Sequence, residues 1–295
     1  MKKLWLIFAA LVCWTAGGVF IQQWQTGTDR DTATPPMRIV SAAPNLTEIL
    51  FALGLDDRIA AVTTNSNYPT AAAGKPKIGN FWQPDIEAVI SAGPDLVLTL
   101  GFERQANLAR RLERAGYNTL SLDIETIEQF YAAVERIGSV TDSEAAAAEL
   151  LGRIKNRIAG TGTGAVQAKR LKVLLVIQRK PMRVVGRGTF VDEMIELAGG
   201  VNAVGPTLHK YPPIGAEQLV GSSPDVIIET ADSGVDPSRQ RTEALDYYRR
   251  FSDLPAVKTG RIYVISADSI SRLGPRLHEG VEAIAGCLFL TGGNM

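Results

Sequence analysis

An α/β fold of two similar lobes joined by one long helix is predicted by three features of the chain. These are an internal duplication, continuous apolar runs of strand length, and an alanine-rich stretch between the two copies. The segment from Pro84 to Leu98 matches the segment from Ile214 to Ile228. In each copy a glutamate, Glu87 or Glu217, opens a short amphipathic helix, small residues and a Pro-Asp pair end it, and an apolar run follows. A short run that is apolar without alternation is the pattern of a parallel strand covered on both faces.

The duplication extends upstream. Arg38 to Ser41 reads as a strand, and Asn45-Leu46-Thr47-Glu48 reads as a capping box opening a helix that Gly54 can close. In the second half Lys172 to Ile177 is the strand, Thr189 the cap, Val191 to Leu197 the helix, and Gly199-Gly200 its end. Each half closes on a further strand, Asn118 to Leu122 and Arg261 to Ser266, which run into Asp123 and Asp268. Two Rossmann-like β/α lobes result. Between them Asp142 to Ala159 is rich in alanine and charge with no interior proline, so a single long backbone helix is expected. One helical crossing is stiffer than several strands, and large hinge closure is not expected. Gly160-Thr161-Gly162-Thr163-Gly164 looks like a phosphate loop but lacks its strand, lysine and apolar helix, and reads instead as a flexible exit from the long helix.

Lys2 and Lys3 precede an apolar run from Leu4 to Val12 and small residues from Thr15 to Gly18, the layout of an export signal. Apolar character continues to Ile21, so an uncleaved anchor is the alternative. Val12 is a poor residue ahead of a lipidated Cys13. The organisation is therefore residues 1–24 as signal or anchor, 25–36 as linker, 37–141 as the first lobe, 142–167 as the interlobe helix and its exit, and 168–292 as the second lobe. Beyond the signal only Cys287 remains, in an apolar stretch that reads as a buried helix, so the cysteine is core filler and no intrachain disulfide is expected. Lysines plus arginines equal aspartates plus glutamates at 31 each, which gives no basic face to nucleic acid.

Several separate segments carry a family resemblance: Asn67-Tyr68-Pro69; Phe81-Trp82-Gln83 ahead of Glu87; Gly186-Arg187-Gly188-Thr189; Tyr211-Pro212 ahead of Glu217; and Asp268 with Arg272 ahead of Gly274-Pro275-Arg276. From Arg38 to Leu290 the chain resembles the periplasmic substrate-binding proteins of iron-siderophore, haem and vitamin B12 ABC importers, and within them the vitamin B12 branch. The resemblance implies a non-enzymatic, monomeric, extracytoplasmic protein. It would carry a cobalamin-like ligand, with no cofactor of its own, to a permease dimer with its ATPase subunits.

The same resemblance suggests the site. Trp82 is the only tryptophan beyond the export region and lies in a loop; with Tyr68 and Phe81 beside it and Tyr211 opposite, it would form a platform for a flat macrocycle. Arg187, Asp268 and Arg272 would supply a polar rim, although Asp268 and Arg272, four residues apart, could simply pair with each other. Glu87 and Glu217 match the family's two permease-docking glutamates; a carboxylate in a first helical turn is also favoured by the helix dipole in any protein.

The rival ligands are haem, with His209 or a tyrosine as axial ligand, and a ferric siderophore held by Arg183, Arg187 and Arg272. His278, in the helix after Pro275, reads as a surface residue. A chelatase-like or nucleotide-using enzyme is the alternative of a different class. Against it, the chain has no phosphate-loop Gly-Lys-Ser/Thr, no Gly-x-Ser-x-Gly elbow, no His-Glu-x-x-His and no cysteine cluster.

Overall fold

The computed structural model describes residues 35–161, 170–231 and 235–289; the export segment, residues 25–34 of the linker and the tail beyond Phe289 lie outside the described residues. The described residues from Pro36 onward cluster as one compact unit.

The first lobe carries four parallel strands, β1 (Ile39–Ser41), β2 (Ile59–Val62), β3 (Leu96–Leu100) and β4 (Thr119–Leu122), in the order β2-β1-β3-β4. Its principal helices are α1 (Pro44–Ala52), α2 (Ile86–Ser91), α3 (Glu103–Arg114) and α4 (Ile127–Val140). Helix α5 (Glu144–Thr161) follows with no return strand between it and α4.

The second lobe carries β5 (Lys172–Arg179), β6 (Met182–Val184), β7 (Val201–Asn202), β8 (Val226–Thr230) and β9 (Ile262–Ile265). Its order is β6-β5-β8-β9, with β7 also on β5 and only β6 antiparallel. Its principal helices are α6 (Phe190–Leu197), α7 (Ala216–Ser222), α8 (Pro237–Tyr248), α9 (Ala267–Ser271) and α10 (Leu277–Phe289). Both sheets are covered by helices, as parallel strands without a solvated face require.

The duplication is visible in individual bonds. Asp95 accepts from the Arg38 amide at 2.9 Å and returns its own amide to the Arg38 carbonyl at 2.8 Å. Asp225 makes the same two bonds with Lys172, both at 2.8 Å. Each Pro-Asp pair thus follows a helix and pins the first strand of its lobe, β1 or β5, to its neighbour β3 or β8. The two helices preceding these pairs start alike, with Glu87 and Glu217 each second in its helix and exposed.

Three expectations are corrected. Asn45 is not a cap: α1 starts at Pro44 after Ala43, whose side chain offers nothing, and Thr47 and Glu48 are buried on the helix's inner face. Gly54, at φ +72°, does close that helix. The long helix begins at Glu144 rather than Asp142, which turns the chain between α4 and α5 at φ +56°, and it runs on through Gly160 and Thr161. The rest of that glycine-threonine run lies outside the described residues. His278 is half-buried, and its Nδ1 is enclosed without a hydrogen-bond partner. Cys287 is buried in α10, and burial pushes its thiol up to about 12.

One apolar cluster runs from Ile39 and Leu46 of the first lobe through Leu150 and Ile154 of α5 to Val173, Val226 and Ile284 of the second. The long helix therefore shares a core with both lobes. That shared core holds the lobes face to face and leaves a cleft between them.

Candidate functional site

The cleft is a cavity of about 320 Å³ bounded on one side by Pro44, Asn45, Asn65, Phe81, Leu100 and Ile124, and on the other by Phe190, Ser271, Arg272 and Leu273. Leu100 ends β3, and Ile124 follows β4, so this wall lies beyond the carboxyl ends of the first lobe's strands, where parallel α/β sheets place their ligands. The lining is mostly apolar, with a few amides and one cation, Arg272, a composition suited to a largely hydrophobic ligand oriented by one polar edge.

Phe81 is held in place by its backbone. Its amide donates to Asn65 Oδ1 at 2.8 Å, and its carbonyl accepts from Gln105 Nε2 at 3.1 Å. Gln105 is fully buried and also bonds the Ala42 carbonyl and the Leu100 amide, both at 2.8 Å, so one side chain ties the aromatic loop to the ends of β1 and β3. Asn80 Oδ1 accepts from the amides of Trp82 and Gln83 at 2.9 and 2.8 Å, an Asx turn that swings the indole outward. Gly79 enters this turn at φ +88°, with the Gln83 carbonyl 2.9 Å from where a Cβ would lie, so only glycine fits.

Trp82 is consequently 62% exposed and lies on the rim, edge-on to Phe81 at 4.7 Å and to Phe102 at 5.9 Å. Tyr68, also exposed, stacks against the Arg276 guanidinium at 4.0 Å. Tyr211 is half-buried against the shared core; burial and nearby Glu125 raise its hydroxyl above the ordinary phenol value. Its loop is fixed by Gly186, whose amide donates to the Lys210 carbonyl at 2.8 Å, and by an ion pair from Lys210 to Glu125 of the first lobe at 2.6 Å. His209 lies in the same loop, exposed, beside Leu208 at 94% exposure.

Of the expected site residues, the structure brings Phe81 and Arg272 into the cleft wall and sets Tyr68, Trp82, Tyr211 and His209 outside that lining. Arg187 is committed elsewhere: its Nε and Nη2 donate to the Val204 and Asn202 carbonyls at 3.1 and 3.2 Å. Asp268 and Arg272 do pair, at 3.4 Å, within a larger group. Arg276 donates to both oxygens of Glu48, at 2.9 and 2.8 Å, and to Asp268 at 3.0 Å, while Arg272 donates to Asn67 at 2.7 Å. Glu48, Asn65, Phe102, Gln105 and Phe190 were not legible as site residues. Among the described residues no cluster of three or more histidine, cysteine or carboxylate side chains could hold a metal ion.

The periplasmic binding protein family model matches residues 39–269, from the first strand of the first lobe to the helix that follows the last strand of the second. The chain belongs to the periplasmic binding protein family. It is 31% identical over 261 residues to an uncharacterized ABC transporter substrate-binding lipoprotein, YvrC, of Bacillus subtilis, covering 86% of this chain and 80% of that protein. The vitamin B12-binding protein of Vibrio cholerae is 23% identical over 256 residues, covering 87% and 90%. The solved haem-bound structure of the periplasmic heme-binding protein BhuT superposes with a TM-score of 0.74 at 27% identity, covering 85% of this chain and 97% of that one. This periplasmic binding protein is thus a transport-class binding protein and not an enzyme, and its two lobes with one connecting helix are the fold of its relatives. Those relatives take different ligands.

Proposed function

We propose that this periplasmic binding protein captures a corrinoid of the vitamin B12 type between its lobes and hands it to the permease of an ABC importer. The observation that carries the reading is the cleft composition, with facing Phe81 and Phe190 walls, aliphatic Leu100, Ile124 and Leu273, and a single guanidinium, Arg272. A broad ligand with an apolar face and polar edge groups suits such a lining, and similarity to vitamin B12-binding proteins supports the choice. A cavity of about 320 Å³ is at the small end for ligand pockets. A macrocycle seated there would extend over the rim, where exposed Trp82 and Tyr68 would cover it.

Haem is the second reading. His209 and Tyr68 are exposed outside the cleft lining, and either could reach an iron held in a macrocycle that extends past it. Export to the periplasm, or to the extracytoplasmic face of a membrane, is supported by the lysine-led apolar N-terminus and by relatives that are periplasmic proteins or lipoproteins.

Glu87 and Glu217 would dock onto the permease, one from each lobe. Each is exposed in the first turn of a helix that leads into a central strand of its lobe, β3 or β8, and such helices begin at the carboxyl edge of a parallel sheet. Titration of the full-length protein with cyanocobalamin, haemin and a ferric siderophore, followed by visible absorbance, tests the ligand. Saturable binding of the corrinoid alone supports the reading; a coordination spectrum with haemin transfers it to haem, and no response to any ligand removes it.

A further inference from the structure

We propose that Glu48 is the positioning residue of the cleft: a carboxylate of the first lobe that holds the second lobe in one orientation and aims the Arg272 guanidinium at the ligand. The aiming of Arg272 rests on the reading of the cleft given above; the holding of the lobes does not.

Glu48 is 3% exposed on the inner face of α1, and a carboxylate so far from water must meet charge or strong donors. Its two oxygens meet the Arg276 fork side by side, an arrangement that fixes orientation as well as distance. Arg276 comes from the segment between α9 and α10 of the other lobe, so this bond pair spans the cleft floor.

The backbone on either side of it is tied down too. Asn45 Nδ2 donates to the Leu273 carbonyl at 3.3 Å, and a Cβ on Gly274 would lie 3.7 Å from that of Asn45. Besides the Arg272–Asn67 bond, two contacts away from this segment cross between the lobes: Ile127 N to Glu193 Oε2 at 2.8 Å, and the Lys210–Glu125 pair at 2.6 Å. The second is exposed on both sides and contributes little in water. Among these ties only that of Glu48 is a buried pair of opposite charges.

The two arginines divide the work. Arg276 bonds Glu48 twice and Asp268 once, and its face covers the Tyr68 ring. Arg272 has one short bond, to Asn67, and only longer contacts of 3.5 and 3.4 Å to Glu48 and Asp268. Arg276 is therefore spent on structure. Arg272 lines the cavity with donors left to offer, held in place by a field that Glu48 and Asp268 set.

Spin labels at Arg104→Cys and Ser238→Cys, exposed sites on α3 of the first lobe and α8 of the second, would report the interlobe distance by double electron–electron resonance. The full-length Cys13→Ser protein serves as parent, since buried Cys287 is shielded from label. Glu48→Gln is compared with Glu48→Leu/Arg276→Met, which removes both charges and leaves no lone buried ion to unfold the protein. A narrow distribution in the parent and broader, displaced ones in both variants, all without ligand, are expected. An unchanged distribution in the double variant overturns the proposal.

For whichever macrocycle the parent binds, Glu48→Gln should weaken binding about tenfold and add nothing to Arg272→Ala. Additive losses would overturn the aiming of Arg272. A parent that binds neither haemin nor cyanocobalamin sinks the reading of the cleft, while the distance distribution still decides the role of Glu48.

Discussion

Glu48 of the first lobe and Arg276 of the second meet through two parallel hydrogen bonds of 2.8 and 2.9 Å, with side-chain exposures of 2% and 13%. The hydrogen bonds to Glu48, ahead of the opposing effect of burial, hold the Arg276 guanidinium still further toward its charged form. A pair enclosed this far is costly to assemble and costlier to halve.

Arg276→Ala should therefore destabilise the protein by about 3–5 kcal/mol, since it strands the Glu48 carboxylate away from water. Urea unfolding at neutral pH measures this. A loss under about 1 kcal/mol would show that water reaches the carboxylate freely.

Trp82 and Phe81 should separate affinity from stability. Trp82→Ala is expected to leave the urea midpoint in place, because the indole is already 62% exposed, yet to weaken ligand binding by about 1–3 kcal/mol. Phe81→Ala should lower both, because the ring lines the cleft and packs against the shared core. Paired titrations and melts on the two variants check the contrast.

Glu87→Ala and Glu217→Ala should leave ligand affinity unchanged and lower stability by no more than about 1 kcal/mol each, since both side chains are exposed in first helical turns and outside the cleft lining. Delivery to a reconstituted importer should fall in each, and fall further in the double variant. Undiminished transport by the double variant would leave the helix dipole as the reason for carboxylates at these positions.

Cys287 predicts a pH dependence. Its thiol is raised from 9.0 to about 12 by burial, so between those values the unfolded chain loses a proton that the folded one keeps. Its contribution is intact below pH 9.0 and is lost as pH rises toward about 12. Stability should decline over that window less steeply in Cys287→Ala than in the parent, and Ellman's reagent at pH 8 should react with this thiol only once the protein is unfolded.

Local pattern carried the architecture. The two Pro-Asp pairs, the apolar runs after them and the alanine-rich stretch needed only near neighbours to be read, because strand burial and helix propensity act over a few residues. The glutamates of the repeat were legible for the same reason. Glu48 shows where such reading stops: its spacing from Asn45 imitates a capping box, and only a partner 228 residues away reveals it as half of a buried ion pair. Arg187 shows the converse, a cation in a suggestive loop whose donors are taken by carbonyls 15 and 17 residues on.

Two β/α lobes, the helix between them and the aromatic loops at their edges are written in the chain, since these follow from periodicity, duplication and turn chemistry. Which side chains face each other across the cleft was decided by tertiary structure alone. Phe190 opposes Phe81, and Arg276 rather than Arg272 takes the buried carboxylate, because the lobes meet across a core that both share with α5. Contacts between segments more than 100 residues apart depend on that meeting, and no local signal in the chain encodes it.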